Sequence, residues 1–281
     1  MHPAFKRCDH RPWPLPSRSW TWAQSWTDLL FIHWPVPATD LRHLIPGGLT
    51  LQEFDGAAWI GVVPFRMMVR PRFTPPVPGL SYFPELNVRT YVEHDGKPGV
   101  WFFSLDATNP IAVRTARRFF YLPYHRAQMS VVRRDNQVSY RSLRSGTSQT
   151  IGFSARYHPT TDPFEARPGS LERWLTERYC LYAQSPEGAF YRGEIHHSPW
   201  PLQEAAVSID SNSMLDQLGL STPAASPLVH FAERLEVALW SFIQLTETQR
   251  PKQRLERTGA RPAHYDQATA GPPLNRRSLG R

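Results

Sequence analysis

Short apolar runs, ended one after another by turn residues, constrain this chain more than any other feature. The longest, residues 57–63, has the length of a strand, far from the roughly 18 apolar residues a membrane-spanning helix needs. Strands are predicted over 29–36, 49–54, 57–69, 84–93, 99–106, 127–133, 137–143, 147–157, 203–209 and 228–240. Asp55-Gly56 is the strongest hairpin signal. Two further hairpins are expected across 94–98 and around Pro186-Glu187-Gly188 within 180–195. Helices are few and short: one near 19–27, one over 40–44 after Thr39, one opened by Asn109-Pro110 through Phe120, one capped by Ser170 over 171–178, and one over 211–218. Many strands without strand–helix alternation predict an α+β chain, mainly antiparallel β, in a single body.

Composition sets outer limits. Apolar residues make up 41% of the 281 residues and Trp occurs ten times, enough for a sizeable core. The formal charge of +8 concentrates beyond residue 245. There, eight basic residues face three acidic ones, a net +5, which leaves +3 for residues 1–245. The organisation expected is a Pro/Trp-rich arm over 1–19, one domain over 20–245, and a basic disordered tail over 246–281. Nucleic acid is therefore not the expected partner, although an interaction role for the tail stays open. Two cysteines, Cys8 and Cys180, make neither a disulfide framework nor a metal set. With no apolar run after the N-terminus, a cytoplasmic protein is expected.

One strand carries a conspicuous polar face. Period-two alternation places Glu85, Asn87 and Arg89 on one side and Leu86, Val88 and Thr90 on the other. An acid, an amide and a guanidinium suit a small polar ligand better than an apolar core. The alternatives are a structural ion pair and an exposed face, since Trp101, Phe103 and Leu105 would supply an apolar layer next door. Arg66 falls opposite Phe65 and Met67 and would add positive potential to the same site, or be solvated. The pair His196-His197 points to opposite faces, which argues against a shared metal.

The run Phe54-Asp55-Gly56-Ala57-Ala58-Trp59-Ile60-Gly61-Val62-Val63-Pro64-Phe65 is followed by Pro84-Glu85-Leu86-Asn87-Val88-Arg89-Thr90-Tyr91-Val92. Then come Gly99-Val100-Trp101-Phe102-Phe103-Ser104-Leu105-Asp106, Ala116-Arg117, Leu122-Pro123-Tyr124, Ala127 and Met129. In that order these resemble the YqjF-like, or DUF2071, family of uncharacterised bacterial proteins over about residues 20–245. The family is similar in fold to acetoacetate decarboxylase. That implies a cone-shaped barrel of two packed sheets, a few short helices and an interior ligand cavity.

The resembled decarboxylase works through a Schiff-base lysine beside a second lysine, after a proline that follows a short helix. The matching loop here reads Pro123-Tyr124-His125-Arg126, so Tyr124 and His125 stand where the paired lysines would. Glu85 matches the family's acidic residue on the cavity strand. Imine formation needs a primary amine, and Lys6, Lys97 and Lys252 sit in termini or at a hairpin tip.

The expectation is thus a cavity protein for a small, anionic organic molecule. Lysine-independent acid/base chemistry on a carbonyl or enol compound would use Glu85, His125 and Tyr124 as catalytic groups. Arg89, Asn87 and Arg66 would hold the ligand. A surface His125 with Tyr124 packed in the core is the competing reading, and a non-catalytic binder or sensor the competing function. No cofactor and no metal are expected; a homo-oligomer stays open.

Overall fold

Fifteen consecutive residues, Trp22–Val36, form the first strand, β1, in place of the helix predicted over 19–27. Alternation explains the difference: Trp22, Gln24 and Trp26 face a cavity, whereas Ala23 and Ser25 are packed on the other side. Asp28, at φ 53°, interrupts β1, and the register against its neighbour shifts between Thr27 and Ile32. That bulge flips the alternation, so Leu29 and Phe31 continue the face begun by Trp26. The computed structural model describes residues 2–245; the tail expected over 246–281 lies outside the described residues.

After a helical turn, α1 (Ala38–Arg42), come β2 (Thr50–Leu51) and β3 (Ala58–Pro71). Asp55 and Gly56 make the predicted turn, both at positive φ between the bridged Phe54 and Ala57. Yet β2 does not pair with β3: it lies along the next strand, β4 (Tyr82–His94), through Thr50 opposite Glu93. Asp95-Gly96, again at positive φ, turns β4 tightly into β5 (Lys97–Ala107). Lys97 therefore opens a strand instead of sitting in a five-residue tip.

Asn109 caps α2 (Pro110–Phe120) by accepting from the amides of Ile111 and Ala112. Tyr121, in the left-handed region, ends the helix. Then follow β6 (Tyr124–Arg134), β7 (Gln137–Arg144), β8 (Gly152–Pro159), α3 (Leu171–Thr176), β9 (Cys180–Gln184) and β10 (Phe190–His196). The last elements are β11 (Gln203–Asn212), β12 (Leu228–Leu239) and β13 (Ile243–Gln244). The helix predicted over 211–218 is absent. β11 runs on through Ser211, paired with Ser154, and only a 3-10 turn, Asp216–Leu218, remains.

The strands form one sheet that closes twice. One circuit runs β1–β3–β4–β5–β6–β7–β8–β11–β12 and back to β1. The other leaves at β5 through β9 and β10 and rejoins at β12. Pairing is antiparallel except where β5 meets β6 and β9. Strands β12, β1, β3, β4 and β5 thus form a partition with packed side chains on both faces. On one face Leu30, Ile32, Val62, Leu86, Val88, Tyr140 and Phe153 fill the first circuit. On the other, Leu29, Phe31, Val63, Phe65, Leu105 and Ile195 line the second. The N-terminal residues wrap the outside: Ala4 packs with Ala238 and Trp240, and Arg11 pairs with Glu194 at 2.6 Å. Among the described residues no helix is long and apolar enough to cross a membrane.

Candidate functional site

The second circuit encloses a cavity of about 480 Å³, within the range that suits small organic ligands. Its walls are mostly apolar, with Trp26, Val63, Phe65, Phe83, Phe102 and Leu105 among them. Into this surface β4 projects Glu85, Asn87 and Arg89, all at most 9% exposed, while Leu86 and Val88 enter the solid core behind. The predicted alternation holds, but both faces of the strand are interior. On β5 the alternation breaks, because the register shifts opposite Val88 and Arg89. Phe102 and Leu105 consequently line the cavity, Phe103 packs into the solid core and Trp101 lies in a separate cluster. The three do not form the single layer expected.

Glu85 meets Tyr124 at the first residue of β6. The phenol donates to Glu85 Oε2 at 2.7 Å, and Tyr140, from the other circuit, donates to the Glu85 carbonyl at 2.7 Å. Burial raises the Glu85 carboxyl to about 7, against the opposing hydrogen bond from Tyr124. Burial, with the Glu85 charge beside it, pushes the Tyr124 phenol well above its ordinary value. Glu85 therefore exchanges its proton near neutral pH while Tyr124 keeps its own.

Arg89 lies four residues further along β4, about 13 Å away along an extended strand, so the two do not pair. Its Nη2 donates to the Tyr91 hydroxyl at 3.4 Å and to the Leu175 carbonyl at 3.3 Å, and its guanidinium lies 5.2 Å from the centre of the Phe31 ring. Tyr91 in turn approaches His33 Nε2 at 2.6 Å. Arginine only donates, so the Tyr91 hydroxyl accepts from Arg89 and gives its own hydrogen to His33. Burial, then the Arg89 charge, holds His33 well below its ordinary value, which keeps that ring nitrogen free to accept. Gly61 makes room here: a Cβ would lie 2.9 Å from His33 Cδ2 and 3.6 Å from Arg89 Cγ.

A second cation that no sequence pattern points to, Arg178, follows α3 and lines the same end of the cavity. Its Nε donates to the Trp174 carbonyl and its Nη1 to Gln52 Oε1, both at 2.6 Å. Gln52 relays to Glu93 at 3.0 Å. Burial lowers Arg178 to about 10, so it remains charged at neutral pH. Among the described residues neither Arg89 nor Arg178 forms a salt bridge. Arg89 Nε, Arg178 Nη2 and Asn87 Oδ1 are buried without a hydrogen-bond partner. Thr176 and His197 complete this end. His196 turns instead toward Cys8 and the Arg7 carbonyl, so the histidine pair divides between two faces as the alternation predicts.

Two predicted site residues lie elsewhere. His125 directly follows Tyr124 on β6, so alternation turns it away from the cavity, opposite Asp106 in the parallel register. Burial and the charges of Arg144 and Arg117 lower it to about 4, and it does not line the cavity. Arg66 faces out of the partition: its Nε lies 3.0 Å from Asp28 Oδ2, and it donates to the Val131 carbonyl. The bulge at Asp28 presents that carboxylate to both Arg66 and Arg133. Lys97 Nζ lies 3.6 Å from Glu194 Oε1, and among the described residues no lysine lines the cavity. Nor do three His, Cys, Asp or Glu side chains gather there in a metal-binding group.

A twice-closed, mainly antiparallel sheet with an interior cavity places the chain in the acetoacetate decarboxylase-like fold. Acetoacetate decarboxylase from Legionella pneumophila superposes with a TM-score of 0.54 at 12% identity, covering 88% of this chain and 96% of that one. The enduracididine biosynthesis enzyme MppR complexed with pyruvate gives 0.58 at 14% identity, covering 85% and 93%. The profile of DUF2071, described as an uncharacterized conserved protein, matches residues 23–236. The uncharacterized protein YqjF of Bacillus subtilis (strain 168) is 43% identical over 227 residues, 80% of this chain and 93% of its own length. The chain belongs to the DUF2071 family.

Proposed function

We propose that the cavity binds a small organic anion and that Glu85, assisted by Tyr124, performs proton transfer on a carbonyl or enol group of it. The observation carrying this reading is the convergence of Arg89 and Arg178, which have no carboxylate partner among the described residues, in an apolar cavity that also holds a carboxyl titrating near 7. Buried cations are ordinarily paired, and an anionic ligand is the partner that would complete this set. Asn87, between the two ends, offers an amide oxygen that has no hydrogen-bond partner among the described residues.

In the reaction proposed, the Glu85 carboxylate takes a proton from the carbon next to a carbonyl, and the released electron pair forms the enolate. Tyr124, freed from a carboxyl that is now protonated, donates its hydroxyl hydrogen bond to the enolate oxygen. Return of the proton from Glu85 to carbon closes the cycle. No imine is involved, in keeping with a cavity that contains no lysine among the described residues.

Pyruvate, bound in a fold relative, is the first compound to test. The wild-type protein should bind it in calorimetry, and by NMR should exchange for deuterium the protons beside the carbonyl of an oxo acid long enough for that carbonyl to reach Glu85. Glu85→Gln should retain binding and lose exchange. Binding without exchange in the wild type would establish a binder or sensor. A borohydride-trapped covalent adduct would refute the lysine-independent chemistry.

A further inference from the structure

Polarity is distributed along the cavity in one direction. Its closed end carries Arg89 and Arg178, sealed by α3 through the Leu175 carbonyl and by the Trp200 indole, which donates to the Thr176 carbonyl at 2.9 Å. Its mouth lies between the loop after β3 and the start of α2. Asn109 Nδ2 ties the two together by donating to the Leu80 carbonyl at 2.6 Å. The mouth is apolar yet open, with Ile111 62%, Val77 49% and Leu80 38% exposed, and all three line the cavity. Between the ends, Val63, Phe65, Phe83 and Leu105 give an apolar path past Glu85.

From Arg89 to Phe83, six residues of extended strand span about 20 Å, much longer than a three-carbon oxo acid. Resting on the reading of this cavity as an anion site, we infer that its ligand is an amphipathic acid. The anionic head lies at Arg89 and Arg178, and an alkyl or aryl tail runs past Glu85 to the mouth at Ile111. A short acid would fill only the charged end and leave the apolar path with nothing to cover it. A long neutral molecule would leave two buried guanidiniums unpaired. The amphiphile satisfies both ends. It also places Glu85 beside a carbon several bonds from the head, so the reacting carbonyl would lie within the chain and not adjacent to the carboxylate.

The test is a chain-length series of straight-chain carboxylates, acetate to tetradecanoate, with pyruvate as the short reference, titrated calorimetrically. Affinity should rise about four-fold per added methylene and level off once the tail reaches the mouth. Arg89→Met should weaken all lengths at least ten-fold. Ile111→Asp, a substitution at an exposed position, should weaken only the longest members. If pyruvate binds and lengthening brings no gain, the amphiphile is ruled out while the anion site stands. If Arg89→Met leaves the affinity of every length unchanged, the head-inward orientation is wrong. If no acid of any length binds, both this inference and the proposed function fall.

Discussion

The Tyr124 hydroxyl sits 2.7 Å from Glu85 Oε2 inside a wall that is otherwise mostly apolar. This contact joins β6 to β4 although neither strand pairs with the other in the sheet. It gives the cavity a proton donor and a proton acceptor at one point, held from two directions.

The raised Glu85 carboxyl has a thermodynamic signature. Its folded value of about 7 lies above the ordinary 4.5, so between those pH values the folded state keeps a proton that the unfolded chain releases. Stability from this group is complete below 4.5 and is lost as pH rises to 7, by about 3 kcal/mol. Glu85→Gln should remove that slope and gain on the wild type at pH 8 relative to pH 5, as measured by urea unfolding. Parallel pH profiles for the two proteins would refute the shift.

Arg89 should matter to the ligand more than to the fold. Among the described residues it has two long hydrogen bonds and no ion pair, so Arg89→Met should leave thermal stability unchanged or raised. Anion affinity should drop about ten- to hundred-fold, the worth of a charge-assisted hydrogen bond. A large loss of melting temperature would show that the guanidinium supports the fold.

Gly61→Ala places a methyl against His33 and the Arg89 stem. Overpacking of this kind costs about 1–3 kcal/mol. The displaced His33–Tyr91–Arg89 chain should also weaken anion binding, measured alongside chemical unfolding. Unaltered binding would mean that the hydrogen-bonded chain does not position Arg89.

Behind the partition, Arg144 Nη2 lies 2.7 Å from a fully buried Asp106. Arg144→Met leaves that carboxylate unpaired and should cost about 3–5 kcal/mol, whereas Arg144→Met with Asp106→Leu should recover most of it. Denaturation of the single and double variants distinguishes these outcomes.

Local periodicity made much of this architecture readable before the structure. The alternation across Glu85, Leu86, Asn87, Val88 and Arg89 and the cap at Asn109 depend on neighbours in sequence. So does the Asp95-Gly96 turn, whose signal was there although the loop proved shorter. The bulges at Asp28 and beside Phe103 are not legible in the sequence, because each is set by how two strands pair and not by the periodicity of either one, and each reverses the face of the side chains that follow it on its strand. His125 departs from the expected site because the chain after Pro123 enters a strand at once, and alternation then separates adjacent residues. Arg66 departs from the expected site because its partner, Asp28, is presented by one of those bulges. Arg178 carries no local signal because 89 residues separate it from Arg89, and only closure of the second circuit unites them. Trp22–Trp26 forms a strand where a helix is predicted over 19–27, since Trp22, Gln24 and Trp26 share the cavity face and the polar Gln24 masks that period of two.

A strand with interior packing on both sides has no forgiving direction in which to drift. Were β4 to slip by one residue, the carboxylate at position 85 would trade places with its leucine neighbour, entering hydrocarbon on one side and emptying the chamber of its acid on the other. Chemistry and folding are thereby coupled through a single alignment. Attempts to re-engineer this chamber should succeed from its helical rim inward and fail from the shared strands outward.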